Sequence, residues 1–142
     1  MNHYTFEQLR IGQEEHFERT ITAEMMEQFL EISGDCNPLH CEEEYAKSLG
    51  YPGCVVYGML TASLYSTLVG VYLPGQYCLL YSISSKFRKP VFVGDTLLIS
   101  GTISEKNDTV RVILIEEVIT NQENEKVSKA ILQVGFSSSN VS

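Results

Sequence analysis

Alternation of apolar with polar positions dominates the second half of the chain. Residues 77–92, 96–105, 109–120 and 127–136 each run at period two, which predicts four long strands joined by hairpin-length turns near Gly94-Asp95, Asn107-Asp108 and residues 122–125. In the third strand, Val110, Val112, Leu114 and Val118 fall on one face and Ile113, Ile115 and Ile119 on the other. An apolar sheet face has to be buried against another element. We therefore expect this sheet to pack on a helix and, near one edge, on another subunit.

The first half reads differently. Residues 14–21 alternate weakly and predict an edge strand. Thr22 is a good N-cap, with Glu24 in the first turn and Met25, Met26, Phe29, Leu30 and Ile32 forming an apolar face, so a helix is predicted over 23–33 with Gly34 ending it. Pro38 lacks an N–H and pushes Asn37 out of the helical region, which makes 34–40 an ordered loop or turn. A short helix over 42–49 follows, acidic at its start and closed by Gly50, before a turn at Tyr51-Pro52-Gly53. Residues 58–73 are apolar or small on nearly every side and predict a helix enclosed by other structure. The polar tail 137–142 is expected to fray.

Composition narrows the function classes. The 142 residues suit one globular domain spanning 1–142, and 44% apolar with 20% charged residues excludes disorder along the whole length. Ten Lys and Arg against 18 Asp and Glu leave a net charge of −8, which disfavours nucleic acid and anionic membranes as partners. The segment 58–73 carries Thr61, Ser63, Tyr65, Ser66 and Thr67 and stops at Pro74-Gly75, too short and hydroxylated to span a bilayer. With no signal-like start, a cytoplasmic location is expected. Cys36, Cys41, Cys54 and Cys78 form no CxxC pair, so reduced thiols are expected, and Cys36-x3-His40-Cys41 lacks the second pair that a zinc site needs.

Chemistry concentrates in three places. Asp35 and His40 lie five apart on the segment stiffened by Pro38, where a carboxylate and an imidazole can converge on a water. Taken singly, Asp35 also fits an Asx-turn and His40 a structural role; Asn37 either orients this pair or only forms the turn. Gly58 opens the central helix, where a backbone N–H without an intrahelical partner can stabilise developing negative charge, and where glycine also allows a tight entry. Lys86, Arg88 and Lys89 gather three of the ten basic residues, either as a solvated strand end or as phosphate ligands.

The string Ser33-Gly34-Asp35-Cys36-Asn37-Pro38-Leu39-His40, then Gly58-Met59-Leu60, then Phe87-Arg88-Lys89-Pro90-Val91-Phe92-Val93-Gly94-Asp95, resembles the MaoC-like branch of the hot-dog superfamily, and within it the (R)-specific enoyl-CoA hydratases. The resemblance runs from about residue 6 to residue 136 and implies an α+β hot-dog fold, a long central helix wrapped by a curved antiparallel sheet. It implies a cofactor-independent hydro-lyase that adds water to a trans-2-enoyl-CoA, giving the (R)-3-hydroxyacyl-CoA. Asp35 and His40 would both contact the catalytic water, with Asp35 as base, and Gly58 would serve the thioester oxyanion. Ser66 and Val69, three apart on the central helix, match positions that line the family's acyl pocket. Lys86, Arg88 and Lys89 would meet the CoA phosphates, and an acyl carrier protein is the other possible carrier. A homodimer or higher homo-oligomer, built by joining sheets edge to edge, is also implied. Many relatives have His immediately before the glycine of the central helix, whereas this chain has Tyr57, a departure that bears on the pocket entrance. Hot-dog thioesterases and acyl-carrier-protein dehydratases commonly place a carboxylate on the central helix, but 58–73 contains no Asp, Glu or His. A non-catalytic acyl-CoA binding module would have no need of Asp35 and His40 together.

Overall fold

The strands form where alternation lets one side chain in two reach the core, and burial follows that rule in the last three strands of the chain. In the computed structural model, which describes residues 1–137, five strands make one antiparallel sheet: β1 (Glu14–Thr20), β2 (Cys78–Phe87), β3 (Thr96–Asn107), β4 (Val112–Thr120) and β5 (Lys126–Phe136). Leu97, Ile99 and Ile103 of β3, Ile113, Ile115 and Ile119 of β4, and Leu132 and Val134 of β5 are fully buried. They face the central helix α4 (Gly58–Thr67) and its π-helical continuation Leu68–Tyr72, whose Tyr65, Leu68 and Val69, with Leu73 just beyond, complete the core. At Gly101 a Cβ would sit 2.1 Å from Leu68 Cδ2, so any larger residue would have to displace that buried side chain. Tyr65 donates to Ser128 Oγ at 2.7 Å and Ser128 donates to the Lys86 carbonyl at 2.8 Å, a buried relay tying helix to sheet.

The strand order is β1-β3-β4-β5-β2. This corrects the expectation of hairpin turns throughout. β2 pairs with β5 and not with β3, so the chain after Phe87 crosses to the other side of the sheet. The Gly94-Asp95 turn belongs to the edge where β1 begins its neighbouring loop: Gly94 donates to the Ile21 carbonyl and Ile21 to the Asp95 carbonyl. The expected strand over 77–92 accordingly ends at Phe87, and the one over 109–120 starts only at Val112. There the Asn107 side chain accepts from Thr109 and Val110 while Arg111 takes a positive φ of 54°.

In the first half, α1 (Ala23–Ser33) begins at Thr22, whose hydroxyl accepts from the Met25 N–H at 3.2 Å, and ends at Gly34 with φ 71°. Met26 is buried and Met25, Phe29 and Leu30 pack on the core, whereas Ile32 is 83% exposed and does not share that face. The expected loop over 34–40 turns helical earlier than its proline suggests. Pro38 occupies the first position of the short helix α2 (Pro38–Cys41), where its missing N–H costs nothing and its φ is suitable. The helix α3 (Glu43–Ser48) follows. The central helix is less enclosed than its apolar composition suggests, since Met59, Ser63 and Ser66 are exposed. At the β2 edge, Leu79, Leu80, Tyr81, Ile83 and Phe87 are each more than 40% exposed. Among the described residues no helix is long and apolar enough to cross a membrane. Of the tail expected to fray, residues 138–142 lie outside the described residues.

Candidate active site

The segment from Ser33 to Cys41 is built as a chain of side-chain-to-backbone bonds. Ser33 Oγ donates to the Phe29 carbonyl and accepts from the Asp35 N–H at 3.1 Å. Asp35 Oδ1 accepts from the Asn37 N–H at 3.1 Å, and Asn37 Oδ1 from the Leu39 N–H at 2.9 Å. Asn37 is thus the N-cap of α2, and Asp35 forms the Asx-turn ahead of it. The turn reading of both residues holds, and it leaves Asp35 Oδ2 free. This series of local bonds carries the chain out of α1 and places His40 within the single turn of α2.

His40 is held on two sides. Its Nδ1 lies 2.7 Å from the Val55 carbonyl oxygen, which can only accept, so Nδ1 carries the proton and Nε2 of the neutral ring keeps its lone pair. Val55 is itself pinned, since its N–H donates to the Leu39 carbonyl at 3.1 Å and it bridges to Phe92. The His40 ring packs against Tyr57 with centroids 4.3 Å apart.

His40 and Gly58 line a single cavity of about 270 Å³, with Thr61, Phe87, Arg88 and Lys89 among its other walls. Gly58 is the first residue of α4, where an amide has no intrahelical acceptor, and the Tyr57 side chain does not cap it. A Cβ at Gly58 would come into van der Waals contact with the Phe87 ring, 3.4 Å away. Asp35 and Asn37 are exposed and stand outside the cavity wall. The convergence expected of Asp35 and His40 runs through an intermediary: Tyr57 donates its hydroxyl to the Asp35 main-chain carbonyl at 2.8 Å while its ring packs at a tilt against His40. In the sequence Tyr57 stands out only as a departure from the pattern of many relatives. Its position beside Gly58 was the available signal.

The other expected site residues separate. Arg88 lies in the cavity wall with its N–H on the Val127 carbonyl at 2.8 Å. Lys89 shares that wall but pairs with Glu125, whose carboxyl the lysine hydrogen bond holds below the usual carboxylate range. Lys86 sits instead on the outer face of the sheet, directly opposite Lys129 of β5. Ser66 and Val69 do not share a lining as expected, because Ser66 is exposed and Val69 is 1% exposed within the core. The α4 residues that do line an apolar groove of about 620 Å³, against α1 and β1, are Leu60, Ser63, Leu64 and Thr67. The four cysteines are unbonded, and among the described residues no three His, Cys, Asp or Glu side chains converge as a metal site would require.

Comparison with known proteins gives a consistent pattern. A family model described as MaoC like domain matches residues 6–127. An (R)-specific enoyl-CoA hydratase of Rhodospirillum rubrum is 34% identical over 102 residues, which is 72% of this chain and 70% of that protein. The (R)-specific enoyl-CoA hydratase of Aeromonas caviae is 38% identical over 87 residues, 61% of this chain and 65% of that one. These alignments span about two thirds of each relative's length. The solved structure of an (R)-hydratase from A. caviae involved in PHA biosynthesis superposes with a TM-score of 0.88 at 27% identity, covering 92% of this chain and 99% of that one.

Proposed function

The chain belongs to the MaoC-like domain family, and on that premise we propose that it is a hydro-lyase adding water reversibly to a trans-2-enoyl-CoA to form the (R)-3-hydroxyacyl-CoA. The observation that carries this reading is the single cavity bordered by both the His40 ring and the first amide of α4. Hydration needs a lone pair to take a proton from water as its oxygen bonds to C3, a donor for the charge that moves onto the thioester oxygen, and a proton for C2.

His40 Nε2 supplies the lone pair, because Nδ1–H is committed to Val55. In this reading the imidazole takes the base role that the family resemblance implied for Asp35. Asp35 accepts the second hydrogen of the water through its free oxygen, and so orients the attacking lone pair. The Gly58 N–H stabilises the enolate oxygen, and the imidazolium then returns its proton to C2, leaving His40 neutral for the next turnover. Arg88 offers the CoA phosphates a bidentate cation at the cavity wall. The exposed apolar row on edge strand β2 supports a homodimer in which that edge is covered by a second copy.

The test is a steady-state assay following loss of the enoyl thioester absorbance of crotonyl-CoA, with chiral analysis of the product. His40→Ala and Asp35→Asn are expected to fold and to lose at least ~100-fold in kcat, the scale of a removed general acid or base. Near wild-type turnover in either variant, or an (S) product, would sink the reading.

A further inference from the structure

Tyr57 is 2% exposed, yet every polar capacity of its hydroxyl is used on the segment that carries the reacting groups. The hydroxyl has one hydrogen, which goes to the Asp35 carbonyl at 2.8 Å. Cys41 Sγ lies 3.4 Å from the same oxygen, so the thiol must be the donor in that pair; it also reaches the Asp35 carbonyl at a longer 3.9 Å. The ring meanwhile packs at a tilt against two others, with Phe29 of α1 at 4.8 Å and His40 of α2 at 4.3 Å. The next residue along the chain is Gly58. One side chain therefore touches the main chain of Asp35, the face of His40 and the thiol that ends α2, and it is rooted at the first turn of α4.

We propose that Tyr57 is a positioning residue for the hydration reaction, fixing Asp35 and His40 relative to each other and to the Gly58 amide; the inference rests on the hydratase reading given above. No direct hydrogen bond joins Asp35 to His40 among the described residues. Asp35 is exposed, and its Asx-turn ties it only to its own segment. The Tyr57 hydroxyl is the contact that ties this segment to the central helix, and displacement of a reacting group by about 1 Å is enough to cost on the order of 100-fold in rate. Burial together with the Cys41 hydrogen bond pushes the phenol well above its ordinary value, so it stays a donor throughout the working pH range.

Tyr57→Phe removes the hydroxyl and keeps the ring. The expected result is a kcat on crotonyl-CoA lower by about 10- to 100-fold with KM changed by less than about 3-fold, since the substrate-binding walls are untouched. A second readout needs no catalysis. In the variant the Cys41 thiol loses its nearer acceptor, keeping only the longer contact to the Asp35 carbonyl, and the loop loses its anchor, so iodoacetamide labelling of Cys41, followed peptide by peptide, should rise several-fold. Labelling of half-buried Cys78, on β2, should stay as in the wild type and report that the fold is intact. Phe29→Leu lightens packing on the same ring but leaves the hydroxyl bonds in place, and should cost much less in kcat. A loss in Phe29→Leu equal to that in Tyr57→Phe would reduce Tyr57 to packing and overturn the proposal. So would unchanged kcat together with unchanged Cys41 labelling in Tyr57→Phe. If the wild type fails to hydrate crotonyl-CoA, the hydratase reading falls, while the labelling ratio still decides whether Tyr57 anchors this segment.

Discussion

Glu117 is the one acidic side chain placed among the inward-facing residues of β4, between Ile115 and Ile119, and it is 1% exposed with neither carboxyl oxygen hydrogen-bonded. Burial without a partner pushes its pKa up to about 9 from the model-peptide value of 4.5, so the folded protein holds this carboxyl protonated at neutral pH. In the unfolded chain the same group ionises above 4.5. The unfolded state therefore binds fewer protons than the folded one across the window from about 4.5 to about 9, and stability falls as pH rises through it. Each pH unit inside that window is worth about 1.4 kcal/mol, so the accumulated cost at pH 7 is on the order of 3 kcal/mol. Glu117→Gln keeps the size and a neutral head and abolishes the linkage. Urea unfolding followed by far-UV circular dichroism, at one fixed protein concentration and at several pH values from 5 to 8, isolates the effect, because every other titrating group is common to both proteins. The stability of Glu117→Gln relative to wild type should climb with pH, by about 3–4 kcal/mol between pH 5 and pH 8. Parallel stability curves would mean that Glu117 is charged in the folded state and that the burial argument is wrong.

Two further outcomes follow from contacts described above, besides those attached to the proposed function and to Tyr57. Arg88→Ala should raise KM for CoA thioesters with kcat nearly unchanged, because a phosphate contact remote from C2 and C3 contributes equally to ground and transition states, and an unaltered KM at low ionic strength would return Arg88 to the solvated surface. Thr22→Ala removes the N-cap of α1 and should lower stability by about 1 kcal/mol in the same urea assay, with no change expected if the Met25 N–H finds water instead.

Local chemistry determined much of this protein. The Thr22 cap and the Gly34 stop delimit α1 from sequence alone, since both act within one helical turn. The alternation of Ile113, Ile115 and Ile119 fixes which face of β4 is buried, because strand periodicity is a property of the backbone. The Asp35-x-Asn37-Pro38 spacing likewise encodes two consecutive turns that need no distant partner. What the tertiary structure alone decided involves residues far apart in sequence. The pairing of β2 with β5 across the sheet left no mark that separates it from a hairpin, since both strands alternate in the same way. Ile32 continues the apolar face of α1 in sequence but is exposed, and Ser66 and Val69 share a helical spacing yet part company, because burial depends on where neighbouring elements end. Glu117 reads as one more charge between apolar positions until the strand register turns it inward. Tyr57 looks like a substitution beside a glycine until folding brings Asp35, His40 and Cys41 around its ring. Spacing along a chain specifies local geometry, whereas the contacts that align a reacting pair come from segments that meet only once the sheet and helix have packed.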